Sequence, residues 1–231
     1  MEKYAIESSM AKVYCSELNG KVIDSGLQMM GGYGFIEEYT MAMQYRDCRI
    51  DGIWEGTNEI NRQIIIGYMM KKALMEELPI QGAIREIEQY MNNGKLETDS
   101  EILLAESNVV ETSKRLALYL LNEGICEFGQ DLKHQQQIAD ILANIFMNIY
   151  AAESTVLRAK KMLENPTRFP SVEDVAKIFV AEMAQRMVQL AETALKGIYN
   201  GNLSPLMHEN LNAFRSRMYL PTNTIVLFLA Q

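Results

Sequence analysis

A single carboxylate next to a predicted helix is the strongest candidate for chemistry in this sequence. Glu55 follows Trp54 and precedes Gly56 and Thr57. The glycine allows a tight backbone path, and the threonine hydroxyl can cap the helix that begins next. Glu59 then falls in the first turn, where the helix macrodipole favours an anion. We expect Glu55 to be buried, and such a carboxylate can accept a proton, although acidic residues before helix caps are also common in proteins without a catalytic site.

Two further motifs precede this carboxylate. Gly31, Gly32 and Gly34 follow a long predicted helix, and glycines that take left-handed conformations there would end it. The segment Arg46–Arg49 then places two arginines around an aspartate. Charge-assisted hydrogen bonds in such a cluster most often fix backbone geometry, and direct contact with a ligand is the alternative.

Together these motifs resemble the C-terminal helical domain of the acyl-CoA dehydrogenases. That family carries a glutamine followed by Gly-Gly-x-Gly-Phe, then Tyr-Arg-Asp-x-Arg, then an aromatic residue and Glu-Gly-Thr-x-x-Ile-x-Arg. The matching segments here are Gln28–Phe35, Tyr45–Arg49 and Trp54–Arg62, in that order and at similar separations. The resemblance covers residues 3–78. Residues 79–231 resemble, by position and pattern, the extra helical domain of very-long-chain-type members.

The resemblance implies an oxidoreductase that converts an acyl-CoA to a trans-2-enoyl-CoA in fatty acid beta-oxidation. Glu55 would be the catalytic base that removes the proton alpha to the thioester carbonyl, because that proton is too weakly acidic to leave unaided. The backbone N–H of Glu55 and a flavin hydroxyl would bind the carbonyl oxygen. The beta hydrogen would leave as hydride to FAD, and an electron-transferring flavoprotein would take the electrons.

The same resemblance implies which residues bind the cofactor and the substrate. Gln28, Gly31 and Gly32 match the loop that reaches the adenosine diphosphate half of the neighbouring subunit's flavin in a homodimer, where absent side chains let the backbone approach closely. The remaining cofactor contacts are expected at Thr57 and Glu59, and the substrate contacts at Trp54 and Gly56. Tryptophan replaces the family's commoner tyrosine or phenylalanine, which leaves the acyl-chain preference open.

Complete members of the family also have an N-terminal helical domain and a middle beta domain, which supply most contacts to the flavin ring and to CoA. This chain resembles neither of those domains. We therefore expect the chain on its own to hold no FAD and to be inactive. The alternative is a non-catalytic helical module that serves interaction or assembly, and an upstream reading frame with flavin-binding motifs would distinguish the two.

Composition and charge limit the other classes of function. The 231 residues are 48% hydrophobic, carry a net charge of −8 and include three cysteines and two histidines. Lysine and arginine form no stripe, so we expect no nucleic acid partner. The cysteines are widely separated, so we expect reduced thiols in the core and no metal site. We expect a cytoplasmic protein, and membrane contact through the apolar tail Ile225–Ala230 is not favoured.

Helical periodicity predicts an all-α fold in two domains. Residues 1–78 are expected to form a partial acyl-CoA dehydrogenase C-terminal helical bundle, and residues 79–231 a second, antiparallel helical bundle. The first helix should bury a broad apolar face between Ala5 and Leu27, and Ser171 should cap a later helix. Helices are predicted over residues 2–30, 37–47, 58–74, 80–91 and 103–128, apolar stripes over 138–163 and 175–198 predict two more, and a shorter helix should end near residue 218.

Overall fold

The computed structural model describes residues 4–75, 77–78, 80–93, 102–164 and 170–220. Every regular element in these ranges is helical and none is a β-strand, which confirms the all-α fold. The elements are α1 (Ala5–Met30), α2 (Gly32–Phe35), α3 (Thr40–Ile50), α4 (Asn58–Leu74), α5 (Ile80–Asn93), α6 (Leu104–Phe128), a 3-10 helix (Gly129–His134), α7 (Gln136–Leu163), α8 (Val172–Ile198) and α9 (Pro205–Arg217). The expected boundary at Pro79, the segment 94–100, the break at 165–169 and the tail Ile225–Ala230 lie outside the described residues.

The first compact unit, Met1–Lys71, is built on the long helix α1. Gly31 ends this helix as the glycine motif predicts, with φ 57°, and its N–H donates to the carbonyl oxygen of Gln28 over 3.1 Å. The short helix α2 reverses the chain, and α3 then runs back along α1, where Met41 packs against Gly26.

The predicted apolar face of α1 is only partly buried. Its buried hydrophobic residues are Ile6, Met10 and Val13. Leu18 and Val22, further along the helix, are 47% and 60% exposed. Helices α2 and α3 pack on α1, and they leave this part of the face open.

The cysteines are free, but the expectation that they lie in the core is wrong. Cys15 and Cys126 are exposed, and Cys48 is partly buried. Cys15 follows the buried Val13 by two residues, and Cys126 follows the buried Gly124 by two. Since residues two apart on a helix face different directions, both thiols lie off the buried face of their helix.

The second compact unit, Lys72–Gln231, is organised around α6. Lys114 on α6 forms an ion pair with Glu153 on α7, and Ser107 on α6 accepts a hydrogen bond from Lys160 on α7. Because the two contacts occur in opposite order along the two helices, α7 runs antiparallel to α6.

Helices α5, α8 and α9 also pack on α6. Tyr199, just after α8, donates to Glu123 near the end of α6 over 2.6 Å, so these two helices run in the same direction. Phe214 of α9, which is 1% exposed, lies against Tyr119 with ring centroids 6.0 Å apart. The arrangement confirms the predicted antiparallel helical bundle, with α6 at its centre.

Two serines precede helices of this unit, and one of them acts as a cap. Ser204 has an extended backbone and accepts the N–H of Met207 over 3.2 Å, with Pro205 at the first helical position. Ser171 does precede α8, but its side chain makes no capping hydrogen bond, so that prediction is wrong. Its backbone, at φ −94° and ψ 8°, departs from the extended conformation that a capping residue needs.

Candidate active site

The corner that carries Glu55 is a tight turn between α3 and α4. The N–H of Trp54 donates to the carbonyl oxygen of Ile50 over 3.0 Å and thereby closes the turn. Glu55 takes a left-handed backbone conformation with φ 54°, and Gly56 follows with φ 80°. Glycine adopts this conformation routinely, whereas other residues pay roughly 1–2 kcal/mol for it. The turn therefore holds a carboxylate on a strained backbone.

The Glu55 side chain is exposed, which contradicts its expected burial. Trp54, beside it, is 56% exposed. Helix α3, which leads into the turn, contributes no buried residue. Within the described residues, no hydrogen bond or ion pair engages the Glu55 carboxylate.

Two side chains hold the backbone that follows Glu55. The ammonium of Lys12 lies 2.9 Å from the carbonyl oxygen of Gly56 and 2.8 Å from Oδ1 of Asn58. The amide nitrogen of Asn61 lies 2.8 Å from the same Gly56 oxygen and 3.1 Å from that of Thr57. We call Lys12 and Asn61 the corner clamp. The sequence did not predict it, because Lys12 comes from a helix 44 residues away and only the packing of α1 brings it to the turn.

Thr57 and Glu59 occupy the positions that the sequence predicts at the start of α4. The Thr57 hydroxyl oxygen accepts the N–H of Ile60 over 3.3 Å, which confirms Thr57 as a cap. The N–H of Glu59 and then the Thr57 hydroxyl donate to the Glu59 carboxylate, and both lower the pKa of Glu59. Both donors lie at the N-terminal end of α4, where the helix macrodipole is expected to favour an anion.

Arg62, the last residue of the same motif, ties α4 to α1. Its guanidinium donates to Glu17 over 2.6 Å, and its side chain is 9% exposed. Asn58 reaches the same helix through Ser16, with 3.0 Å between Nδ2 and Oγ. The start of α4 is thus fixed to α1 by Lys12 and, one turn further along that helix, by Ser16 and Glu17.

The three glycines after α1 differ in what surrounds them. A Cβ on Gly34 would lie 2.7 Å from the carbonyl oxygen of Leu27, so packing within the unit requires this glycine. Gly31 needs its positive φ but has open space where a Cβ would be. Gly32 has open space and no positive φ, and Gln28 is exposed. Open backbone at Gly31 and Gly32 lets an outside group approach closely.

The structure does not bring all predicted site residues together. One corner holds Trp54, Glu55, Gly56, Thr57 and Glu59. Lys12 of α1 contacts this corner at the carbonyl oxygen of Gly56. Gly31 lies 19 residues further along α1, which is about 28 Å at 1.5 Å per residue. The residues from Gln28 to Gly32 therefore form a separate patch within one chain.

The acid–base cluster Arg46–Arg49 has a different arrangement from the one expected. Arg46 pairs with Glu37 over 2.6 Å, and both side chains are largely exposed. The pair lowers the pKa of Glu37 and raises that of Arg46. Arg46 thus binds a carboxylate nine residues earlier in sequence, on the segment between α2 and α3.

Two other kinds of site were sought in the described part of the chain. These residues contain no group of three or more His, Cys, Asp or Glu side chains placed to hold a metal ion. None of the helices in these ranges has the length and apolarity needed to cross a bilayer.

Comparison with known proteins gives the family of this chain. Two family models match, both described as acyl-CoA dehydrogenase, C-terminal domain, one over residues 1–70 and the other over residues 112–212. A probable acyl-CoA dehydrogenase of Bacillus subtilis is 36% identical over 208 residues, which are 89% of this chain and 35% of that protein. A caffeyl-CoA reductase-Etf complex subunit CarC of Acetobacterium woodii is 44% identical over 66 residues, 29% of this chain and 17% of that protein.

A solved structure agrees with these matches. The crystal structure of an acyl-CoA dehydrogenase complexed with FAD from Bacillus anthracis superposes with a TM-score of 0.84 at 30% identity, covering 96% of this chain and 37% of that one. The helical fold and the matches on both units define a pair of C-terminal helical domains of the acyl-CoA dehydrogenase type. The chain belongs to the acyl-CoA dehydrogenase family, and it spans about a third of the length of these two Bacillus proteins.

Proposed function

We propose that this chain supplies the catalytic base and part of the flavin-binding surface of an FAD-dependent acyl-CoA dehydrogenase. The observation that carries the proposal is the backbone of Glu55, a non-glycine residue held at φ 54° with an exposed carboxylate. Strained backbone of this kind persists only where the surroundings enforce it, and it clusters at functional sites.

In this proposal Glu55 removes the proton alpha to the thioester carbonyl of an acyl-CoA. Bound FAD supplies the acceptor for the beta hydrogen, which leaves with its bonding pair as hydride. The substrate thus loses a proton and a hydride and becomes a trans-2-enoyl-CoA. The backbone N–H of Glu55 stabilises the carbonyl oxygen as negative charge develops on it. Trp54 and Gly56 flank the carboxylate and contact the substrate.

The residues proposed to contact FAD fit that cofactor. Gly32 has neither a packing contact nor a positive φ that requires glycine, and its open backbone supports the proposed approach of the cofactor. Gln28 and Gly31 lie beside it, and Gln28 is exposed. Thr57 and Glu59 would add contacts at the other patch. Because one α1 separates the two patches by about 28 Å, the patch at Gly32 is proposed to serve the flavin of a second subunit in a homodimer.

The proposed electron acceptor is an electron-transferring flavoprotein. The Acetobacterium relative carries Etf in its name as part of a complex, which supports this class of partner. The proposed setting is fatty acid beta-oxidation in the cytoplasm. Since the chain spans about a third of the two Bacillus proteins, we also propose that the isolated chain neither retains FAD nor oxidises acyl-CoA. Visible absorbance of the purified chain after incubation with FAD and desalting measures retention, and flavin bands at one equivalent would contradict this part.

A chimera tests the catalytic role. This chain is grafted in place of the matching part of the Bacillus subtilis relative, and acyl-CoA-dependent reduction of an electron-transferring flavoprotein is followed. Glu55→Gln should keep flavin and acyl-CoA binding and lower kcat by roughly 100-fold to 10,000-fold, because it removes the base and spares the ground-state contacts. Glu38→Gln, a change of the same type at an exposed residue outside the corner, is the matched control. Turnover retained by Glu55→Gln would remove Glu55 from the catalytic role.

A further inference from the structure

The corner clamp acts on the three peptide groups that follow Glu55. Three carbonyl oxygens surround the amide nitrogen of Asn61, those of Gly56 and Thr57 at 2.8 and 3.1 Å and that of Glu55 at 3.5 Å. These three neighbours are all acceptors, so the Asn61 side-chain atom that faces them is the amide nitrogen. An amide oxygen in its place would have no donor to accept from. Asn61 therefore gathers the carbonyl groups of three consecutive residues on one side of the turn.

Lys12 holds the same turn from a second direction. The Gly56 oxygen accepts from both the Lys12 ammonium and the Asn61 amide, at 2.9 and 2.8 Å. A trans peptide group is planar, so fixing the Gly56 carbonyl oxygen also fixes the whole peptide group that joins Gly56 to Thr57. With the Gly56 carbonyl fixed by two donors and the Glu55 carbonyl next to one, the backbone at Glu55 cannot relax to a negative φ without breaking these contacts.

We propose that Asn61 and Lys12 are positioning residues that hold Glu55 and Gly56 in their left-handed conformations and so aim the Glu55 carboxylate. Hydrogen bonds to the carbonyl groups compensate the backbone strain at Glu55. The catalytic significance of this placement rests on the proposed function, whereas the effect on the backbone does not. Asn61 acts from within α4, and Lys12 transmits the position of α1 to the turn.

The isolated chain allows the backbone effect to be measured without catalysis. Trp54 is the only tryptophan of the chain and adjoins Glu55, so its fluorescence reports the turn. Amide hydrogen exchange at Trp54 and Asn58 reports it as well, because their N–H groups close the turn on Ile50 and Gly52. Asn61→Leu keeps the size of the side chain and removes its donors. It should raise exchange at both amides about tenfold and shift the Trp54 emission.

Three further variants make this result specific. Asn148→Leu removes a similar amide bond, 2.7 Å to the carbonyl oxygen of Asn144 within α7, and should leave both amides unchanged. Glu55→Gly in the Asn61→Leu background should restore slow exchange, since glycine adopts the left-handed conformation freely. Lys12→Met removes only one of the two donors to the Gly56 carbonyl oxygen. It replaces Asn61→Leu in the exchange measurement if Asn61→Leu fails to fold. Wild-type exchange in both Asn61→Leu and Lys12→Met would overturn the proposal.

Turnover of the chimera separates this inference from the proposed function. Asn61→Leu should lower kcat about tenfold or more while changing the KM for acyl-CoA less, because the base is misplaced and the binding surface remains. If the turn loosens in Asn61→Leu but Glu55→Gln stays active, the positioning of the turn stands and the proposed catalytic role fails. If Glu55→Gln is inactive but neither Asn61→Leu nor Lys12→Met changes exchange or kcat, the positioning inference alone fails.

Discussion

Arg62 donates to Glu17 over 2.6 Å from a side chain that is 9% exposed, whereas Arg46 meets Glu37 at the same distance with side chains 63% and 75% exposed. The two ion pairs share their chemistry and differ in their contact with water. Exposed pairs contribute little because solvent screens them, while removing one member of a buried pair leaves a desolvated charge behind.

Glu17→Gln should therefore destabilise the first unit, and Glu37→Gln should not. We expect Glu17→Gln to lower the free energy of unfolding by about 1–2 kcal/mol, a value reduced because Glu17 is itself partly exposed. Glu37→Gln is the matched control and should give no measurable change. Urea unfolding followed by Trp54 fluorescence reads this unit specifically. Equal losses in the two variants would contradict the argument from burial.

Gly34→Ala and Gly32→Ala should separate packing from ligand approach. The new Cβ on Gly34 meets backbone atoms of Leu27, so Gly34→Ala should cost about 1–3 kcal/mol of stability. The Cβ on Gly32 meets open space, and Gly32→Ala should change stability by less than about 0.5 kcal/mol. In the chimera, Gly32→Ala should instead weaken retention of FAD, measured by absorbance after desalting. A fully stable Gly34→Ala would contradict the packing argument. Unchanged retention of FAD in Gly32→Ala would contradict the proposed contact with the cofactor.

Tyr199 should make the second unit less stable at high pH. Burial, and then the carboxylate of Glu123 that its hydroxyl contacts, raise the pKa of Tyr199 in the folded protein. Protonated Tyr199 contributes its full stabilisation below the pKa of about 10 that tyrosine has in the unfolded chain. This stabilisation is lost as the pH rises toward the higher pKa of the folded state, because the unfolded chain ionises first. Between about pH 9 and about pH 11 the wild type should lose more stability than Tyr199→Phe. Urea unfolding by far-ultraviolet circular dichroism measures the difference, and parallel pH profiles would contradict it.

The exposed apolar residues of the first unit should make the isolated chain self-associate. Met29 and Phe35 are 88% and 76% exposed, and Val22 on α1 is 60% exposed. Burying such surface contributes about 25 cal/mol per Å², so a second copy should cover it. Light scattering coupled to gel filtration should show a species larger than a monomer, and Val22→Lys should shift it toward monomer. Leu157→Lys, at an exposed position of α7, is the control, and a monodisperse wild-type monomer at high concentration would contradict the prediction.

Local signals in the sequence predicted helix ends well, because the responsible contacts span only a few residues. Gly31 stops α1 and Thr57 caps α4 through atoms no more than three residues apart. Ser171 shows that a suitable residue type does not suffice, since its backbone conformation decides whether the side chain reaches the helix.

Contacts between distant segments were not predictable from spacing. The contact of Lys12 with Gly56 depends on how α1 packs, and so does the exposure of Cys15. The expected burial of Glu55 was wrong because apolar neighbours in sequence do not guarantee a packed layer above the turn. The family motifs predicted where the corner lies in the sequence. The contacts of the corner clamp could be identified only from the folded structure.

The place of α9 in the second unit has a consequence for biosynthesis. Phe214 and Met218, at the end of the bundle, are 1% and 2% exposed, and Ser113 of the central helix contacts the Met218 sulfur. A ribosome makes these residues about a hundred positions after the surface that they cover. The nascent chain must therefore leave one side of α6 uncovered until α9 emerges, and during that interval a chaperone has an apolar surface to bind.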